Sequence, residues 1–215
     1  MRLNRVQPAA CRAAITERLG AAIAEQVLAA TGIADLPAVL PSGPRDFAAL
    51  AAELQPFVHL YRELEQRAGH TTALEIARRA IIDSGLASHA AEETSGDQQP
   101  QPGAGQPLTL TSPPAHMPNL APAELESSFN LAMAFFSCQG TLFSYTPDRV
   151  HFHVTHCNWC GVLQAAGAPE LIPFFCETDE HFMDTHPTHR LVRPTAIGLG
   201  HSHCDFQFVL IEDGN

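Results

Sequence analysis

Histidine and cysteine are concentrated in one part of this chain. Of its twelve histidines and six cysteines, eight histidines and four cysteines lie between Asp148 and Phe206. Imidazole and thiolate are ligands of zinc and other transition metal ions, and a thiolate is also a nucleophile. We therefore expect the chemistry of the protein to be located in this stretch.

A metal site is one interpretation of the cluster. Its thiols are Cys157, Cys160, Cys176 and Cys204. They include a single Cys-x2-Cys pair, whereas a zinc ribbon has two such pairs. Zinc also accepts mixed ligands, so that His153, His156 or His181 could complete a tetrahedron. The sequence thus leaves zinc or another transition metal open as a cofactor, and it requires none.

A nucleophilic thiol is the second interpretation. Cys176 follows two phenylalanines, and Asp179 lies one helical turn after it. A cysteine reacts as the thiolate, and Asp179 alone would raise the thiol pKa by repulsion of like charges. One of the clustered imidazoles would therefore have to serve as the base. The alternative is that Cys176 is a packed residue of the core.

The alternation of residue types predicts a half-buried strand from Arg149 to His156. Apolar residues alternate there with His151, His153 and Thr155. If the strand continues, its period of two places Cys157 on the same, less apolar face as the two histidines.

Further elements follow this strand. We predict helices over 158–166 and 169–186, then strands over 190–197 and 204–211, joined by a loop at 198–203 that contains two more histidines. The C-terminal region is therefore predicted to be a β-α-α-β-β unit with an antiparallel sheet.

Apolar residues at helical spacing predict an N-terminal helical region. A first, Ala-rich helix would end at Gly32, a second would kink or break at Pro56, and a third would end at Gly85. A further helix is expected to begin near Pro122.

The chain is accordingly divided into three parts. Residues 1–87 form the helical region, residues 88–114 a flexible Pro-, Gln- and Gly-rich linker or inserted loop, and residues 115–215 the α+β region. The predicted fold class is α+β, with the N-terminal helices packed against the C-terminal sheet unit.

Composition narrows the classes of partner. The 215 residues carry a net charge of -11 and contain no lysine, which argues against a nucleic-acid-binding surface. No apolar run reaches the roughly 18 to 20 residues that span a bilayer, and no signal-peptide pattern is present. We expect a cytoplasmic protein with reduced cysteines and a small-molecule substrate, and the sequence leaves its oligomeric state open.

The C-terminal motifs resemble those of a known family. They are Phe152 to Cys157, Gly167 to Leu171, Phe175 to Asp179, Arg190 to Thr195, and Gly200 with Cys204 to Phe208. In this order and at these separations, they resemble the L-2-amino-thiazoline-4-carboxylic acid hydrolase family over roughly residues 148–209. A more distant similarity of pattern is to vinyl-4-reductase-like small-molecule-binding domains.

The resemblance implies a hydrolase that opens a small sulfur-containing heterocycle, with an N-carbamoyl cysteine as the product of the namesake reaction. It also gives weight to the positions that match the family motifs: Cys157, Cys176, Asp179, Cys204 and Asp205. His156 and Gln207 stand where relatives often carry arginine.

Our hypothesis for the mechanism assigns a role to each candidate. Cys176 is the nucleophile or a thiolate ligand, His153 or His156 is the acid/base, and Asp179 orients an imidazole. Arg193 binds a substrate carboxylate. Two further substrate-binding candidates are Cys204 and Asp205. The alternatives are a Cys/His-rich module that binds a metal or small molecule, and a metal-dependent enzyme of another reaction class.

Overall fold

A computed structural model describes residues 6–35, 45–93, 107, 108, 110 and 120–211. It confirms the predicted α+β class: helices make up the N-terminal part, and an antiparallel sheet lies in the C-terminal part. Among the described residues, no helix combines the length and apolar character needed to cross a membrane.

Four helices form the N-terminal part. They are α1 (Pro8–Leu19), α2 (Ala21–Thr31), α3 (Phe47–Ala68) and α4 (His70–Glu93). Their apolar stripes are buried against one another, and Leu50, Leu54, Leu60, Leu64 and Ile81 have no exposed surface. The helical periodicity of the sequence thus reports the core-facing side of each helix.

The boundaries of these helices differ from the prediction at three residues. The first predicted helix is two helices, because Gly20 adopts a φ of 88° between α1 and α2. Pro56 lies inside α3 without ending it, because buried apolar residues on both sides hold the helix in place. Helix α4 passes through Gly85 to Glu93, so the predicted boundary at 87 falls inside a helix.

The C-terminal part is built around a four-stranded sheet. Its elements are α5 (Pro122–Phe135), β1 (Cys138–Tyr145), β2 (Arg149–Cys157), α6 (Asn158–Ala165), α7 (Ile172–Asp184), β3 (His189–Val192) and β4 (Cys204–Leu210). The strand order is β1-β2-β4-β3, and all neighbouring strands are antiparallel.

The prediction missed β1 and made β3 too long. No residue of β1 before Tyr145 is fully buried, and its exposed face carries Phe143, so the sequence shows no clear apolar face. Strand β3 ends before Pro194, which has no N–H to donate to a neighbouring strand.

Two hydrophobic cores meet between the helices and the sheet. One joins α1 to α4 with α6 and α7, and the other joins α5 with one face of the sheet. Cys157 and Ile197 contact both cores. Most of the predicted linker lies outside the described residues, but Leu108 and Leu110 at its C-terminal end are buried in the second core.

An irregularity in β2 reverses the predicted face of Cys157. Val154 pairs with Gly140 and His156 with Gln139, which leaves Thr155 as an extra residue between the two pairs. An extra residue shifts the alternation of side chains by one position. Cys157 therefore lies on the face of Val154, opposite the histidines, and the prediction for its face is wrong.

Gly140 is required where the backbone of β1 lies close to that of β2. A Cβ at this position would overlap the carbonyl oxygen of His153, which belongs to the neighbouring backbone and cannot rotate away. We expect Gly140→Ala to lower the free energy of unfolding by about 1–3 kcal/mol, as measured by urea denaturation. Gln139→Ala, at the exposed neighbouring position, is the control. Equal stability of the two variants would show that the close approach of the two strands at Gly140 does not require a glycine.

Candidate active site

A cavity of about 100 Å³ lies where the two cores meet. Its walls are mainly apolar, and its polar side chains are Cys138, Cys157, Cys160, Cys176, Asp179, Arg193 and Cys204. An apolar pocket with a few convergent polar groups is the usual form of a small-molecule site. Six of the predicted site residues thus line one pocket: Cys157, Cys160, Cys176, Asp179, Arg193 and Cys204.

The start of β1, the end of β2 and the start of α6 position three of the thiols. Cys138 and Cys157 are paired across β1 and β2, and Cys160 lies in the first turn of α6. The turn before β1 is fixed to the same place, because Asn158 donates to Ser137 Oγ at 3.0 Å and Ser137 adopts a φ of 55°. Left-handed backbone at a non-glycine residue is strained, and it is found often at functional sites.

Cys157 has the environment of a thiolate. The thiol of Cys138, followed by that of Cys160, donates toward its sulfur and holds the pKa of Cys157 well below its ordinary value. The N–H groups of Cys160 and Trp159 in the first turn of α6 act in the same direction, although Cys157 makes no capping hydrogen bond there. Cys157 is therefore the most acidic thiol of the pocket.

The thiol of Cys138 has two acceptors within reach. Its sulfur lies 3.3 Å from the carbonyl oxygen of Phe136, and it also approaches the sulfur of Cys157. One S–H can serve only one acceptor at a time. A charged acceptor binds a hydrogen more strongly than a neutral one, so the thiol turns to Cys157 when Cys157 is ionised.

The other two thiols of the pocket are held neutral. Burial raises the pKa of Cys176 to about 12, against the opposing effect of Arg193. Burial also raises the pKa of Cys204, whose sulfur accepts a hydrogen bond from the N–H of Ile197 at 3.2 Å. The environment of Cys176 is therefore less favourable for a nucleophile than that of Cys157, contrary to our hypothesis from the sequence.

Arg193 and Asp179 form the charged part of the pocket. The guanidinium of Arg193, with 2% of its side chain exposed, donates to Asp179 Oδ2 at 3.2 Å, to Glu180 Oε1 at 2.7 Å and to the carbonyl oxygen of Cys176 at 2.8 Å. Its Nε has no partner. Burial raises the pKa of Asp179 to about 7, although Arg193 opposes this shift. The pocket therefore offers a free donor and a carboxyl group that can exchange a proton near neutral pH.

The remaining predicted residues lie outside the pocket. Side chains alternate along β2 and β4, so His153 and Asp205 lie on the opposite face of the sheet from Phe152 and Cys204. His156 is exposed, and its Nε2 lies 2.9 Å from the side-chain oxygen of Asn158. The structure does not bring either histidine to Cys176, so the predicted imidazole base is absent from this arrangement.

The four cysteines predicted as metal ligands do not form a compact set. Within the described ranges, one group of at least three histidine, cysteine or carboxylate ligands has its atoms within 4.8 Å of one another, and it consists of His151, His153 and Asp205. The thiols share a pocket, but none belongs to that group.

Two features of the pocket escaped the sequence analysis. Cys138 was not considered, because the strand that carries it was not predicted. The acidity of Cys157 depends first on the thiols of Cys138 and Cys160 and then on the N–H groups of the first turn of α6. A Cys-x2-Cys pair at a predicted strand-to-helix junction is the signal that could have indicated part of this arrangement.

Comparison with known proteins adds the following. A family model described as L-2-amino-thiazoline-4-carboxylic acid hydrolase matches residues 51–208. No curated protein matches the chain. A similar solved structure is that of an Fe(II) unliganded H-NOX protein mutant from K. algicida, with 13% identity, a TM-score of 0.34, and coverage of 95% of each chain.

Proposed function

The chain belongs to the L-2-amino-thiazoline-4-carboxylic acid hydrolase family, and from this premise we propose that it hydrolyses a small 2-aminothiazoline-type ring in the thiol-lined pocket. The observation that carries the proposal is the convergence of an acidic thiol, Cys157, with Asp179 and Arg193 on one cavity. These groups supply a nucleophile, a proton donor and a cation.

In the first step, the thiolate of Cys157 attacks the ring carbon that is bonded to sulfur and to two nitrogens. The bond between this carbon and the ring sulfur breaks, and the ring sulfur leaves with the electron pair. Asp179, neutral below a pKa of about 7, donates a proton to it. The product of this step is an S-linked isothiourea on Cys157 and a free thiol on the substrate.

In the second step, water attacks the same carbon. The carboxylate of Asp179 takes the proton of the water, and the bond to the sulfur of Cys157 breaks, which returns the thiolate. The released product carries a carbamoyl group on the substrate nitrogen and differs from the substrate by one added water. The proton that Asp179 gave in the first step is thereby replaced.

Arg193 provides the anchor for a carboxylate on the ring. Its Nε is a buried donor without a partner, and such a group favours an acceptor that enters the pocket. A carboxylate forms charge-assisted hydrogen bonds with a guanidinium. We therefore expect substrates that carry a carboxylate beside the ring.

The test is an assay of the full chain with 2-aminothiazoline-4-carboxylate. We expect a product that is one water heavier and has a newly titratable thiol, and in ¹⁸O-labelled water we expect the label in its carbamoyl group. The matched substrate is 2-aminothiazoline, which lacks the carboxylate and should react at least about 10-fold more slowly, because the contact with Arg193 is lost. Release of ammonia, or no product from either ring, would refute the proposal.

A further inference from the structure

A second cluster of side chains lies on the face of the sheet that is turned away from the pocket. His151 Nε2 lies 2.9 Å from Asp205 Oδ1, and His153 Nε2 lies 3.6 Å from the same oxygen. The proposed hydrolysis uses none of these residues. His151 and His153 belong to the histidine cluster of the sequence, and Asp205 is one of the positions that match the family motifs.

The register of the sheet brings these ligands together. His151 and His153 are two residues apart on β2 and therefore point to the same side. His153 is paired with Asp205 on β4, and Asp205 is thus diagonal to His151. Side chains at opposite and diagonal positions of neighbouring strands are within contact distance of each other.

We propose that His151, His153 and Asp205 bind a divalent first-row transition metal ion. Their ligand atoms lie within 4.8 Å of one another. Ligands at about 2.1 Å from a tetrahedral zinc ion are about 3.4 Å apart, so small rotations of the side chains are enough to close the site. Two imidazoles and one carboxylate are a common protein ligand set for zinc and for iron(II).

The surroundings orient the carboxylate for this role. Gln207 donates to Asp205 Oδ2 at 3.0 Å, and Arg149 donates to the side-chain oxygen of Gln207 at 2.8 Å. The hydrogen bond to Oδ2 leaves Oδ1 to face the two imidazoles. Hydrogen-bonded supports behind the ligands are typical of metal sites and fix the direction of the ligand atoms.

The exposure of the three ligand side chains and the aromatic rings around them also fit a bound ion. The three ligand side chains are between 16% and 29% exposed, so water can complete the coordination. The ring of Phe143 lies 4.9 Å and 4.5 Å from those of His151 and His153 and covers one side of the site. The ring of His203 lies 4.3 Å from that of His153 and also borders the site.

The experiment measures metal binding to the full chain by calorimetry with Zn²⁺. We expect one equivalent to bind and to raise the melting temperature, because the ion joins β2 to β4 only in the folded state. His153→Ala should weaken binding by about 100-fold or more, and Asp205→Asn, which keeps the shape of the side chain, by at least about 10-fold. His59→Ala, an exposed histidine on α3, is the matched control and should bind as the unmodified chain does.

Co²⁺ distinguishes this site from the thiols of the pocket. Ligands with nitrogen and oxygen donors give no intense sulfur-to-cobalt charge-transfer band, whereas thiolates do. We expect no such band at one equivalent, and we expect binding to persist in Cys157→Ser. The proposal is refuted if the band is present, if Cys157→Ser abolishes binding, or if His153→Ala and Asp205→Asn bind Zn²⁺ as tightly as the control. Melting of the variants in a chelator shows that they are folded.

Discussion

Replacement of Cys157 by serine should lower kcat for ring opening by roughly 10³-fold or more, because the chain would lose its nucleophile. Serine has nearly the same shape, so the pocket should remain intact. Its hydroxyl is far less acidic than a thiol, and the donors around position 157 do not ionise it near neutral pH. The measurement is the rate of product formation at saturating substrate, together with a thermal melt to show that the variant is folded.

Cys176→Ser is the matched comparison for this prediction. Both thiols line the same cavity, but burial raises the pKa of Cys176 to about 12, so it remains protonated where Cys157 is ionised. We expect Cys176→Ser to retain much more activity than Cys157→Ser. A loss of activity confined to Cys176→Ser would instead identify Cys176 as the nucleophile.

Alkylation measures the difference in acidity between Cys157 and Cys176 without requiring turnover of the substrate. An iodoacetamide reaction at about pH 6, below the ordinary pKa of a cysteine, should label Cys157 before the other pocket thiols, as mapped by peptide mass spectrometry. Prior incubation with the substrate should slow this labelling. Equal labelling of Cys157 and Cys176 would contradict the acidity assigned to Cys157.

Regular periodicity made much of the fold predictable. The alternation along β2 indicated the strand and the outward direction of His151 and His153, and both are found in the structure. The apolar stripe after Pro122 likewise indicated α5. These elements bury one face, so their residue types carry the pattern of burial.

Departures from periodicity could not be predicted. The extra residue at Thr155 moves Cys157 to the pocket face, and nothing in the local residue types marks it. Strand β1 was missed, and Cys138 with it, because the residues of β1 show no clear apolar face. A bulge depends on the pairing of two strands, and pairing is a property of the tertiary structure.

The candidate site was predictable in its residue types more than in its geometry. Arg193 and Asp179 were both selected from the sequence, and the structure pairs them at 3.2 Å. The sequence could not show that Arg193 is the partner of Asp179, because Arg193 follows β3 whereas Asp179 lies in α7. The role of orienting an imidazole, assigned to Asp179 from the sequence, has no histidine to act on in the pocket.

The buried pair of Arg193 and Asp179 should make stability depend on pH. The folded-state pKa of Asp179 is raised to about 7, above that of an unfolded aspartate, so its protonated form contributes stability at low pH. This contribution is fully present below about pH 4 and is lost as the pH rises through about 7. At higher pH, Asp179 is charged, and Arg193 is then its partner in the pocket.

Arg193→Met should therefore destabilise the protein far more in alkaline than in acidic solution. At about pH 8 we expect a loss of about 3–5 kcal/mol, because a charged Asp179 would be left without its partner in a largely apolar pocket. At about pH 5, Asp179 is neutral and the loss should be smaller, limited to the hydrogen bonds of Arg193 and its contact with the ring of Phe206. Urea denaturation at the two pH values measures both losses.

The double variant Arg193→Met/Asp179→Asn separates the charge of Asp179 from the other contacts of Arg193. An asparagine cannot ionise, so the extra loss at about pH 8 should disappear, and the double variant should be more stable there than Arg193→Met alone. Asp179→Asn alone should also remove the decline in stability between about pH 4 and pH 7. If Arg193→Met costs the same at both pH values, Asp179 does not titrate in this range. It would then also be unable to donate the proton that the proposed ring opening requires near neutral pH.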